Sequence, residues 1–240
     1  DRKLLITMEE TRTNYDDQKK EVEKLKSKLA AQKKLLDKQK KDKESLLEIT
    51  RGDQKRYQQL LAEAKAQLAA IRRFVASQGG ATILNNQTKC DSWGCYYNQR
   101  DSLWGNIGLG GSSYSVAEYG CLISSVSMLA SHYGKNIKPN DIAVIPNAFF
   151  EGYLLHSFSV NGVSVSLESV SKGRLDEELN AGRPVIAGLF SGPDHFIVIL
   201  RKEGNGYIMH DPFLEDGANR PLSDKYSVSN ISSLRLVRFN

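Results

Sequence analysis

The sequence predicts a long helical extension followed by an α+β domain, and three observations carry that division. Residues 1–78 are rich in Lys, Glu, Gln, Leu and Ala and hold one glycine, no proline and no cysteine. All six prolines and both tryptophans lie beyond Gly79-Gly80. Beyond those glycines a single apolar helical stretch precedes several short apolar or alternating runs separated by turn residues, the pattern of a helix on a largely antiparallel sheet. The expected organisation is a coiled coil over 1–78, a linker over 79–89 and a folded domain over 90–240.

The extension carries a heptad seam. Met8, Tyr15, Val22, Leu29 and Leu36 occupy one core position, and Leu4, Leu25 and Leu46 share the other with Gln18, Gln32 and Gln39. Apolar residues at this spacing bury a seam against another helix, and polar core positions fix register at some cost in stability. Gly52, within Thr50-Arg51-Gly52-Asp53, breaks the pattern, since glycine costs about 1 kcal/mol against alanine inside a helix. A second seam follows, one residue out of phase: Tyr57, Leu61, Ala64, Leu68, Ile71 and Val75. Either one helix of roughly 110 Å, at ~1.5 Å per residue, runs through a distortion, or the chain turns back as a hairpin. We expect the single helix, with a second copy of the chain or another coiled-coil partner covering its stripe.

In the domain, Cys121–Tyr133 reads as a buried helix stopped by Gly134. Pro139–Phe150 and Arg174–Asn180 read as short helices, the latter ended by Gly182. Val163–Val170 alternates Val-Ser-Val-Ser in the manner of a strand, and further strands are expected at 184–190, 195–201, 207–211 and 233–239.

Composition narrows the function. The net charge of +5 comes with Lys and Arg interleaved with Asp and Glu along the helical extension, which describes a solvated face and not a nucleic-acid stripe. An anionic cell surface remains an expected partner. No run of ~18 apolar residues is present to span a bilayer, and an upstream targeting segment is expected to precede Asp1. Cys90 and Cys95 are close in sequence while Cys121 stands apart. The odd count suggests a Cys90–Cys95 disulfide plus one free thiol, hence an extracytoplasmic location; three reduced cysteines in a cytosolic protein are the alternative. Structural zinc wants about four ligands, which this cysteine pattern does not supply, and no cofactor is expected.

Chemistry points to Cys121. A free thiol, with a pKa near ~8.5, is a weak nucleophile at neutral pH. A helix N-terminus and a nearby imidazolium favour its thiolate. Cys121 follows Gly120 at an expected helix start. His195 opens the apolar run 196–200, and Asp211 closes the following strand. If the intervening hairpin is centred on Glu203, residue 200 faces 206 and His195 faces Asp211 directly, with Cβ atoms about 4.5–5.5 Å apart. A carboxylate there would orient the imidazole and stabilise the imidazolium. A one-residue slip would bring His210 opposite instead. The alternatives are a core role for Cys121, a surface role for His195 and a turn role for Asp211 ahead of Pro212. His132, His156 and His210 read as structural.

The stretches Cys95-Tyr96-Tyr97-Asn98-Gln99-Arg100-Asp101-Ser102-Leu103-Trp104-Gly105, Tyr119-Gly120-Cys121 and His132-Tyr133-Gly134, followed in order by Gly182-Arg183-Pro184-Val185-Ile186, Asp194-His195-Phe196-Ile197-Val198-Ile199 and Gly206-Tyr207 through Asp211-Pro212, resemble the papain-like cysteine peptidases related to the double-glycine leader peptidases. The resemblance covers roughly residues 95–215. It implies a papain-like fold with Cys121 as nucleophile, His195 as general base and Asp211 as its orienter. It further implies that Gln99 donates to an oxyanion hole beside the Cys121 backbone N–H. Such enzymes usually place that glutamine about one helical turn before the cysteine. Here 121 − 99 = 22 positions separate them, so the Gly/Ser-rich stretch 105–119 has to loop out. The extension resembles, more loosely, the N-terminal coiled coils of secreted bacterial cell-wall hydrolases and their activators.

The expected function is therefore a secreted bacterial cysteine peptidase or amidase acting through a thioester acyl-enzyme on a peptide, such as the peptide part of cell-wall polymer. The alternative is a coiled-coil adaptor or hydrolase activator whose peptidase-like domain binds peptide without cutting it. Acyl transfer to an amine in place of water also stays open.

Overall fold

A computed structural model describes residues 2–50 and 54–240 of the chain. The expected break at Arg51-Gly52-Asp53 lies outside the described residues. Two compact units are present, 1–49 and 50–240.

The first unit is helix α1 (Arg2–Thr50). The side chains of Met8, Tyr15, Val22, Leu25, Leu29 and Leu36 are exposed along it. These are the expected seam positions, and a solvent-facing apolar stripe of this length is what a partner helix would cover.

The second unit begins with helix α2 (Gln54–Ser77). Its seam is real: Ala64, Leu68, Ile71 and Val75 are buried, as is Phe74 beside them. The stripe is filled from within the chain, by the domain that follows. The helix stops at Gly79 and Gly80, both in the left-handed region at φ 84° and 99°, a conformation that suits glycine.

Next come a small hairpin, β1 (Lys89–Cys90) and β2 (Cys95–Tyr96), closed by the Cys90–Cys95 disulfide, then the short helix α3 (Val116–Tyr119) and the buried helix α4 (Cys121–His132). The single helix expected over Pro139–Phe150 does not form. Helix α5 (Pro139–Ala143) is followed by a 3₁₀ turn over Pro146–Ala148, and β3 (Phe149–Phe150) pairs with β4 (Tyr153–Leu154). Pro146 accounts for the break: it lacks an N–H and disfavours a helical residue before it, and Ile145 is extended at φ −92°, ψ 104°.

The remaining strands are β5 (Ser157–Val160), β6 (Val163–Val170), β7 (Val185–Leu189), β8 (His195–Glu203), β9 (Gly206–His210), β10 (Arg220–Pro221) and β11 (Ile231–Phe239). They form one seven-stranded sheet in the order β10-β9-β8-β7-β11-β6-β5, with every pairing antiparallel. The short helix α6 (Leu175–Asn180) precedes β7. The two-residue period of β8 divides the core. Phe196 and Val198 point to the face occupied by α4, whereas Ile197 and Ile199 meet Leu175 and Leu179 of α6 on the other. Helix and antiparallel sheet together make the predicted α+β architecture.

The β8–β9 register differs from the expected one. Glu203 pairs with Gly206 across a two-residue Gly204-Asn205 turn, and a bulge at Leu200 then shifts the pairing to Ile199↔Met209 and Val198↔His210. Continued outward, this register sets Asp211 against Ile197, so His195 and Asp211 are diagonal neighbours and not direct ones. Diagonal side chains stay within reach of a ring and a carboxylate, and the two still meet.

Candidate active site

Cys121 is the first residue of α4 and is completely buried. Gly120 makes this entry possible, because a Cβ there would stand 2.4 Å from the Val116 carbonyl oxygen. The chain can therefore leave α3, turn and start α4 within one residue. The helix end directs unpaired backbone N–H groups and the positive end of its dipole towards the thiol.

His195 begins β8 and is almost fully buried. One imidazole nitrogen, Nε2, lies 2.8 Å from Asp211 Oδ1. That leaves Nδ1 free of Asp211, and the nearby Cys121 side chain favours the charged form of the imidazole. Burial alone would lower the His195 pKa. The charge and hydrogen bond of Asp211, with Cys121 adding to them, overcome burial and raise it to about 9. Burial likewise opposes ionisation of Asp211, but His195, the Phe213 N–H and the Tyr226 hydroxyl hold its carboxyl below the usual carboxylate range. The buried pair is thus stable as an imidazolium and a carboxylate.

Asp211 is anchored on every side. Phe213 N–H donates to Oδ1 at 2.8 Å and the Tyr226 hydroxyl to Oδ2 at 2.8 Å. Its backbone is held by Asp211 N–H to Gly217 O at 2.9 Å and by the Tyr96 hydroxyl to Asp211 O at 2.8 Å. Tyr226 is a site residue that the sequence does not reveal. It lies in a loop 15 positions from Asp211, without a pattern that would announce it.

Gln99 is buried between Pro212 and Ala117. Its backbone N–H donates to Pro212 O at 2.7 Å and its Nε2 to Ala117 O at 2.7 Å. The intervening stretch does loop out, because Val116 N–H bonds Ile107 O at 2.8 Å and Ala117 N–H bonds Gly105 O at 2.9 Å, closing it at the base. The glutamine is thereby tied through Ala117 to the short helix that leads into Cys121. One of its two side-chain N–H donors is spent there, which leaves the second.

Arg235, on β11, adds a buried cation to the α4 side of the sheet. Its guanidinium lies 4.7 Å from the centre of the Phe196 ring. Burial lowers its pKa, while Tyr153 and Cys121 favour its charge. The other histidines stand elsewhere. His132 stacks on Trp93, and His210 accepts the Asn219 N–H at 2.9 Å on Nδ1, its pKa lowered to about 4 by burial. Among the described residues no group of three or more His, Cys, Asp and Glu could hold a metal ion, and no helix is long and apolar enough to cross a membrane.

This arrangement puts a thiol at a helix start, an imidazole beside it and a carboxylate behind the imidazole, the chemistry of a nucleophile, a proton carrier and its orienter. Residues 112–225 match the model of the Peptidase C39 family. No curated protein gives a significant match.

Proposed function

We propose, from the match of residues 112–225 to the Peptidase C39 family, that the domain hydrolyses peptide bonds with Cys121, His195 and Asp211 as its catalytic triad. The observation that carries this reading is the buried His195, hydrogen-bonded through Nε2 to Asp211 and electrostatically coupled to the Cys121 side chain at the start of α4. Cys121, as thiolate, attacks the scissile carbonyl carbon and forms a tetrahedral oxyanion. The Cys121 backbone N–H and the remaining Gln99 amide N–H stabilise that charge. Nδ1 of the imidazolium then gives its proton to the departing amine, leaving a thioester. The neutral imidazole next takes a proton from water, whose oxygen attacks the thioester; the acid is released and the thiolate–imidazolium pair is restored. Asp211 holds one ring orientation throughout and balances the imidazolium charge.

The Cys90–Cys95 disulfide supports an extracytoplasmic site of action. The exposed apolar stripe of α1 supports association through a coiled coil, with a second copy as the first partner to test. The substrate is a peptide, and the peptide part of cell-wall polymer is the first candidate. The test is digestion of a defined peptide library and of purified cell wall, with new amino termini read by mass spectrometry. New termini are expected with the unaltered residues at 121 and 195 and absent from Cys121→Ala and His195→Ala. No cleavage by the full chain, nor by a chain in which α2 has been displaced, would overturn the reading.

A further inference from the structure

Cys121 and His195 are both closed off from solvent, and α2 packs over the His195 side of the site. Phe74 stacks flat on the His195 ring, with centroids 4.2 Å apart and planes 6° apart, and meets Phe213 edge-on at 5.4 Å. Leu68 and Ile71 face Leu122, Ile123 and Phe196 across a narrow apolar gap. Tyr57 reaches Phe150 on the opposite wall at 5.6 Å. Two polar tethers hold the residues immediately before His195: Gln67 Nε2 donates to Pro193 O, and Arg73 lies 3.9 Å from Asp194 Oδ1. A substrate carbonyl has no open path to a thiol and an imidazole buried in this way.

Three features distinguish a removable cover from an integral wall. The core on the far side of the sheet contains no α2 residue, and the core around α4 takes Ile71, Phe74 and Val75 from it, while Ala64, Leu68 and Ala70 are buried outside those two clusters. The outward face of α2 is charged and exposed, with Glu63, Lys65, Arg72 and Arg73 on it. The helix joins the domain through Gly79 and Gly80, around which a Cβ would meet nothing within 4 Å, so no side-chain packing holds the joint, whose backbone bonds, Gly79 N–H to Ala76 O and Gly80 N–H to Val75 O, lie within the helix end itself.

We propose that α2 is an autoinhibitory latch, with Phe74 as the plug over His195, and that the enzyme works only when α2 swings away about Gly79-Gly80. The inference rests on Cys121 being the nucleophile of the proposed peptidase. Its test reads access to Cys121 directly, so that it is separable from catalysis.

Cys121 is the one free thiol when the Cys90–Cys95 disulfide is kept oxidised, so iodoacetamide labelling of the full chain reports on it alone. Two variants are compared with the unaltered chain: Phe74→Asp, which expels the plug, and Gln67→Ala/Arg73→Glu, which cuts both tethers without touching the apolar face. Far-ultraviolet circular dichroism and tryptophan fluorescence, reporting Trp93 and Trp104, verify that the domain stays folded. The latch predicts labelling at least tenfold faster in Phe74→Asp and at least threefold faster in the tether variant. Labelling of a folded tether variant at the unaltered rate overturns it, as does the same result for Phe74→Asp. Peptide cleavage is then measured on the same samples. Faster labelling without cleavage keeps α2 as the cover over the site but removes the peptidase reading and autoinhibition with it, whereas cleavage by the unaltered chain at the full rate of both variants removes the latch and keeps the peptidase.

Discussion

Replacing Tyr226 by phenylalanine removes one oxygen atom and tests the electrostatics of the site. The hydroxyl donates to Asp211 Oδ2 at 2.8 Å, on the side of the carboxylate away from His195, which binds Oδ1. Both residues are buried, so water does not readily replace the lost donor. A hydrogen bond to a buried charged group is worth about 1.5–3 kcal/mol, which sets the expected loss of stability at neutral pH. The sign of its pH dependence follows from Asp211. Its folded pKa lies below the ordinary 3.8, so the stability it contributes is present above 3.8 and is lost as pH falls through the lower folded value. The Tyr226→Phe penalty is therefore largest near neutrality and shrinks once Asp211 protonates. Urea denaturation at pH 7 and at stepped values down to about pH 2.5 measures it, with circular dichroism as the probe. A loss below about 0.5 kcal/mol at pH 7, within the range of an ordinary surface change, would refute the reasoning. So would a penalty independent of pH.

Other perturbations have equally definite outcomes. His195 has a folded pKa raised to about 9 from an ordinary 6.5, so its stabilisation is complete below 6.5 and is lost as pH rises through about 9; urea midpoints should fall across that window, and His195→Gln should flatten the fall. Cys121→Ala should lower peptide cleavage at least ~10³-fold without unfolding the domain, because the nucleophile has no substitute. Reducing Cys90–Cys95, which closes a short loop, should cost roughly 2 kcal/mol by loop entropy, visible as a lower thermal midpoint in dithiothreitol.

The elements legible in the sequence are those that local pattern decides. The apolar run after Gly120 marks α4, the alternation of 163–170 marks β6, and the apolar run after His195 marks β8. Cys121, His195 and Asp211 are readable because each sits at the end of such an element. Contacts between distant segments are not readable. Tyr226 reaches Asp211 from a loop, and no periodicity marks it. The seam at 57–75 identifies a buried stripe correctly in Ala64, Leu68, Ile71 and Val75, but a stripe does not say what covers it, and the counterpart is the chain's own domain. Phe74 flanks the seam positions, so the pattern does not single it out, although its ring lies on His195. The β8–β9 register departs from the expected one because a bulged residue at Leu200 changes the pairing, and bulges leave little trace in a strand of uniformly apolar residues.

The most direct test of the central claim is the intact mass of the full chain after incubation with a peptidyl epoxide, performed on Phe74→Asp, Phe74→Asp/His195→Ala and Phe74→Asp/Cys121→Ala. Epoxide opening needs a nucleophilic thiolate and a proton for the departing alkoxide, the two groups assigned to Cys121 and His195. One adduct per chain is expected, mapped to Cys121, forming at least ~10²-fold more slowly without His195 and absent without Cys121. An adduct on Cys121 that forms at the same rate in the His195→Ala background would contradict it.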